Sequence, residues 1–129
     1  LLRQRLQIMD AARKSNRVLF VDTDAVTTLF YSRLLLTNPK EIEICEKMAT
    51  AISDMTQWDL VLFLEPDVEF IQDGTRNKKI HEDREMYSQQ IKQALAQNNI
   101  TYHCVSGDYL ERFETAKKLI AELGITTQF

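Results

Sequence analysis

Val18-Leu19-Phe20-Val21-Asp22-Thr23-Asp24 is a run of four apolar residues ending in two carboxylates spaced two apart. It reads as a buried parallel strand that delivers Asp22 and Asp24 to its carboxyl end. In open α/β sheets that edge holds the ligand, because the strand tips and the loops after them form the crevice that helices leave uncovered. Asp24 has a plainer use as well, as the N-cap of a helix beginning at Ala25. Capping leaves Asp22 without a reason, so at least one of the pair is read as functional.

Working outward, 129 residues with 44% hydrophobic and 27% charged side chains suffice for one globular domain, or part of one, with its own core. A net charge of -3 and a pI near 5.4, with Lys and Arg scattered among acids, argue against a nucleic-acid or anionic-membrane surface. Neither a secretory leader nor a spanning apolar run is evident, so Cys45 and Cys104 are expected as reduced packing residues of a cytoplasmic protein. With His81 and His103 they form no metal-ligand spacing, and no zinc site is expected.

Upstream, Leu2, Leu6, Met9 and Ala12 recur at helical spacing, and Ser15-Asn16 closes that helix. Downstream, Val26, Leu29, Phe30 and Leu34 support a second helix, which stops near Thr37-Asn38-Pro39. Asn38, Pro39 and Glu41 then supply a cap, a first helical position and a first-turn acid. Ile42, Cys45, Met48, Ala49 and Ile52 line the inner face of this third helix. Leu60-Val61-Leu62-Phe63-Leu64, bounded by Glu65-Pro66-Asp67, reads as a second fully buried strand. Val68 to Arg84 is a charged connection with a glycine at its turn, suited either to closing over an anion or to plain solvation. A helix follows with Tyr87, Ile91, Ala94 and Leu95 inward and Asn98-Asn99 at its end. Ile100, Tyr102 and Cys104 alternate as an edge strand would. Ser106-Gly107-Asp108 turn the chain into a last helix that buries Leu110, Phe113, Ala116, Ile120 and Leu123 and ends at Gly124. The order α-β-α-α-β-α-β-α predicts a three-layer parallel α/β fold.

The chemistry is bounded by glycine. Gly74, Gly107 and Gly124 are the only three, and none lies in GxxxxGK[ST] or GxGxxG, the patterns that let backbone N–H groups approach phosphates. Nor is there a GxSxG elbow, and two histidines on polar segments assemble no convincing nucleophilic triad. Two enzymatic readings of the acid pair remain. In one, the acids serve beside a phosphate loop from residues upstream, Asp22 holding Mg²⁺ and Asp24 orienting or deprotonating the acceptor hydroxyl. In the other, Asp22-Thr-Asp24-Ala-Val26 is similar to the DxDx[TV] pattern of haloacid-dehalogenase-type phosphatases, with Asp22 as nucleophile. That pattern also needs a lysine and a further acidic pair late in the chain, and Gly107-Asp108-Tyr-Leu-Glu111-Arg112, which lacks the acid four places after Asp108, fits it poorly.

The order of Phe20-Val-Asp22-Thr-Asp24, Thr27-Thr28, Trp58-Asp59-Leu-Val-Leu-Phe-Leu64, Asp73-Gly-Thr-Arg76, Arg84, Asp108-Tyr109 and Arg112-Phe113 resembles the ribosylnicotinamide kinase domain. That domain forms the carboxyl-terminal part of the bifunctional NAD-biosynthesis and NAD-regulator proteins. The resemblance runs over essentially all 129 residues and makes them the carboxyl-terminal portion of one nucleoside-kinase-like domain. It implies a three-layer sheet of P-loop kinase type and transfer of the ATP γ-phosphoryl to the 5′-hydroxyl of nicotinamide riboside, with ATP and Mg²⁺ as cofactors. Asp22 would match the acid on Mg²⁺, and Asp24 would be catalytic and face the nucleoside. Asp73 and Gly74 would lie on the nucleotide, with Arg76 and Arg84 closing on its phosphates. Arg112 would serve the nucleotide side or act as a helix-face charge. Tyr31 or Phe30 would stack on the nicotinamide ring, Phe30 being better suited to the core.

The family's central P-loop strand, between the strand ending at Asp22 and the strand ending near Leu64, is absent from these residues. The two strands would then expose apolar edges, so an upstream segment or a second copy is expected to complete the sheet. These 129 residues alone are expected not to turn over ATP. The non-enzymatic alternative is a small α/β binding module of receiver type, which would need a lysine at its last strand that Val105-Ser-Gly-Asp108 does not offer.

Overall fold

The computed structural model describes residues 1–67 and 83–124, which divide into two compact units, Leu1–Gln57 and Trp58–Phe129. Among the described residues there are five helices and two strands.

The first unit holds α1 (Leu2–Lys14), α2 (Ala25–Leu35) and α3 (Pro39–Asp54). The ends of α2 and α3 follow from capping chemistry. Asp24 accepts the Thr27 N–H at the start of α2. Asn38 accepts the Lys40 N–H ahead of Pro39, whose missing donor costs nothing at a first helical position. Ala25, Leu29, Ala49 and Ile52 form the core between α2 and α3, with Leu1 and Cys45 packed against it. Each fully buried branched side chain there stabilises the fold by about 1.5–3 kcal/mol. The expected inner face of α3 is thus observed at Cys45, Ala49 and Ile52.

One expectation for this unit is corrected. The run from Val18 to Asp22 is not in a strand: it joins no ladder among the described residues, and Phe20 is 64% exposed. An apolar run becomes a strand only where another strand accepts its N–H and C=O groups. The apolar stripe of α1 is likewise outward, Leu2 and Leu6 being 62% and 66% exposed. Helical spacing aligned those residues without supplying a surface to cover them.

The second unit is a parallel pair, β1 (Leu62–Leu64) and β2 (His103–Val105), joined through α4 (Arg84–Gln97) and followed by α5 (Tyr109–Glu122). The register sets Leu62 opposite His103, Phe63 opposite Cys104 and Leu64 opposite Val105. His103 N–H donates to Val61 O at 2.9 Å, and Glu65 N–H donates to Val105 O at 2.8 Å, extending the pairing at both ends. Tyr87, Ile91 and Leu95 of α4 are buried as their spacing predicts, as are Val105 and Ile120.

Here too the sequence expectations need correction. The strand over 60–64 is not fully buried, since Leu64 is exposed. In β2 the covered side chain is Val105, while Cys104 is exposed, the reverse of the alternation expected from Ile100, Tyr102 and Cys104. Leu110, Phe113 and Leu123 of α5 are exposed, leaving Ile120 as its buried residue. With two paired strands, the described sheet has less surface to cover these side chains than the predicted three-layer sheet. The end of α5 is as expected: Gly124, at φ +81°, donates its N–H to Ala121 O.

Candidate functional site

In the first unit the acid pair sits on a tight, braced turn. Thr23, between the two acids, has φ +62°, a left-handed conformation that is a genuine outlier for a β-branched residue and costs on the order of 1–3 kcal/mol. Local hydrogen bonds offset it. Thr23 Oγ1 donates to Asp22 O at 2.6 Å, and Gln4 Nε2 of α1 donates to Thr23 O at 3.3 Å. Thr28 Oγ1 lies within hydrogen-bonding distance of both Gln4 Oε1 and Asp24 O, at 3.3 Å and 2.9 Å. The turn is therefore fixed from α1 on one side and from the first turn of α2 on the other.

The two carboxylates are left in different states. Asp24 Oδ1 accepts the Thr27 N–H at 2.8 Å, while Oδ2 has no partner among the described residues. Asp22 is exposed, and its carboxylate makes no hydrogen bond or ion pair among the described residues. Capping accounts for one oxygen of Asp24 and for nothing at Asp22. Tyr31 is half-buried on α2, edge-on to Phe30 with ring centroids 5.4 Å apart. It lies seven residues after Asp24, about 10 Å along the helix axis and on nearly the same face.

In the second unit the polar residues gather where the strands end. Glu65 forms a mostly buried ion pair with Lys92 of α4, whose ammonium also lies 5.1 Å from the centroid of the Phe63 ring. The hydrogen bond from Lys92 holds the Glu65 carboxyl below its ordinary value, and that bond from the other side raises Lys92. The Cys104 thiol is pushed up by its hydrogen bond to Glu65, which disfavours the reactive thiolate. Asp67 is held below its ordinary value by the Gly107 N–H, with Arg112 adding to the effect.

Arg112 is engaged by the protein itself. Its Nε donates to Gly107 O at 2.8 Å, and its Nη2 donates to Glu65 O at 2.6 Å and to Asp67 Oδ1. Arg84 is the first residue of α4 and is half-buried. Asp73, Gly74 and Arg76 lie outside the described residues, as does His81.

Asp22, Asp24 and Tyr31 thus share the first unit, and Arg84 and Arg112 the second. Sequence reasoning missed Glu65, Asp67 and Lys92. The signal was present: two acids directly after an apolar strand, and a lysine between the inward positions Ile91 and Leu95. Among the described residues no three His, Cys, Asp or Glu side chains converge as a metal-binding group, and no helix is long and apolar enough to cross a membrane.

Parallel strands joined through a helix, with charged residues gathered at the strand ends, define an α/β protein. The chain belongs to the AAA domain family, which matches residues 1–112 and implies the P-loop NTPase type of α/β fold. It is also similar to two proteins named trifunctional NAD biosynthesis/regulator protein NadR, from Salmonella typhimurium and Escherichia coli K12. It is 31% identical to each over 115 residues, or 88% of this chain. The resemblance read from Phe20 to Phe113 is borne out by this similarity. The chain spans about a quarter of the length of these relatives, 26% of each. No solved structure matches it.

Proposed function

We propose that the chain is part of an ATP-dependent nucleoside kinase that phosphorylates the 5′-hydroxyl of nicotinamide riboside, giving nicotinamide mononucleotide for NAD synthesis. The observation that carries the reading is the braced turn of Asp22 to Asp24, where, among the described residues, one carboxylate has no partner and the other keeps an oxygen without one. The similarity to the NAD biosynthesis/regulator proteins supports the choice of acceptor.

On this reading Asp24 Oδ2 orients the acceptor hydroxyl and accepts its proton, while the Thr27 N–H holds the carboxylate in place. Asp22 suits Mg²⁺, which takes one or two carboxylates and fills its remaining positions with water and phosphate oxygens. When bound, the ion neutralises charge on the phosphates. Tyr31, two turns along α2, offers a ring to the base of an acceptor lying along the helix. Arg76 and Arg84 are assigned to the transferring phosphoryl, and Asp73 and Gly74 to the nucleotide. The phosphate-cradling loop and the central strand of a three-layer sheet come from residues other than these 129, so this chain alone is expected to be inactive.

The test is phosphate transfer from γ-labelled ATP by the full-length protein, with and without nicotinamide riboside. Label appearing in the riboside supports the reading. Label released equally fast without acceptor overturns it in favour of a phosphatase, and no turnover in either case overturns it in favour of a binding module.

A further inference from the structure

Arg112 closes a ring of hydrogen bonds across the ends of both strands. Asp67 Oδ2 accepts the Gly107 N–H at 2.7 Å, Gly107 O accepts Arg112 Nε at 2.8 Å, and Arg112 Nη2 returns to Asp67 Oδ1. A fourth bond, from Nη2 to Glu65 O at 2.6 Å, fixes the backbone leaving β1. Asp67 belongs to the segment after β1, Gly107 to the loop after β2, and Arg112 to the second turn of α5. The Arg112 side chain is only 11% exposed. Its Nε and Nη2 are occupied and its charge is met by Asp67, so the edge that would grip a phosphate with two parallel bonds is already taken.

The partner positions are built for this ring. Gly107 has φ +92°, and a Cβ there would press on the Glu111 side chain, with Cδ at 3.0 Å and Cβ at 3.1 Å. Glu111 is itself held in a reciprocal cap: its carboxylate accepts the Asp108 N–H at 2.8 Å, and its own N–H donates to Asp108 Oδ1 at 2.9 Å. The loop after β2 is therefore fixed from α5 by two independent devices, one of which also reaches the segment after β1.

We propose that Arg112 is a positioning residue that sets the spacing of the two strand-end segments by acting through Asp67 and Gly107, and does not itself bind the nucleotide. Its role in turnover rests on the kinase reading above; the clasp does not.

The experiment compares Arg112→Lys, Asp67→Asn and the double variant in the full-length protein by two measurements. The first, made without substrate, is hydrogen exchange at the Gly107 amide. Exchange about tenfold faster or more in each single variant, with no further gain in the double, is expected for one cooperative ring. Unchanged exchange in Arg112→Lys overturns the proposal. The second is kinetics. Misplaced strand ends are expected to lower kcat by about tenfold to a hundredfold while KM for ATP stays within about threefold, with the two substitutions non-additive. A large rise in KM for ATP in Arg112→Lys, with Asp67→Asn like wild type, overturns the proposal and makes Arg112 a nucleotide ligand. Wild-type protein without transfer activity fails the kinase reading, while the exchange measurement still decides the clasp.

Discussion

Glu65, Asp67 and Lys92 tie the stability of the second unit to pH with a definite sign. Glu65 and Asp67 titrate in the folded chain below their ordinary values of 4.5 and 3.8. Their contribution is therefore full above those values and is lost as pH falls through the lowered folded ones. Lys92 is raised above 10.5, so its contribution is full below that value and is lost as pH climbs through the raised one. Thermal unfolding midpoints should be flat between about pH 5 and 9 and fall on both sides, the basic side beginning with Cys104, whose raised pKa leaves the unfolded thiol the easier one to ionise above its ordinary 9.0. In Glu65→Gln the acid limb should be shallower and the midpoint at pH 7 lower, because Lys92 keeps its charge in a mostly buried place without its partner. An acid limb unchanged in that variant would contradict the assignment. The cap at Asp24 was legible from its place before Ala25. The left-handed Thr23 was not: threonine disfavours that conformation, and only the bonds from Gln4 and within the turn make it tenable.

At the scale of elements, the sequence was clearest where local chemistry is self-sufficient. Asn38-Pro39 start α3, Ser106-Gly107-Asp108 turn the chain into α5, and Gly124 ends it, because each signal acts within a few residues. Tyr87, Ile91 and Leu95 were legible as an inner face for the same reason. Strands were less so, since a run such as Val18 to Val21 needs partners that lie far away in sequence. Helical stripes fall between: Leu29 found a core against α3, whereas Leu2 and Leu6 did not. This difference is measurable. Leu29→Ala should lower stability by about 2–5 kcal/mol through lost burial and a residual cavity, while Leu6→Ala should stay within about 0.5 kcal/mol. Equal losses in chemical denaturation would mean that the α2–α3 core is misassigned.

At the scale of the molecule, the family could be read from the order of short motifs, because many weak signals in sequence agree better than any one alone. The completed site could not. The acids of the first unit and the cations of the second come from separate stretches, and Asp73, Gly74 and Arg76 lie outside the described residues. On the reading proposed here the braced acid pair does more than cap a helix, and Asp24→Asn in the full-length protein separates the two roles. Asparagine caps a helix about as well as aspartate, so the thermal midpoint should stay within about 4 °C of wild type, allowing for the lost charge at the helix start. Acceptor-dependent phosphate transfer to nicotinamide riboside should fall by about a hundredfold or more, the loss typical of a missing general base. Wild-type transfer in a stable Asp24→Asn protein would contradict the account and leave Asp24 as a cap alone.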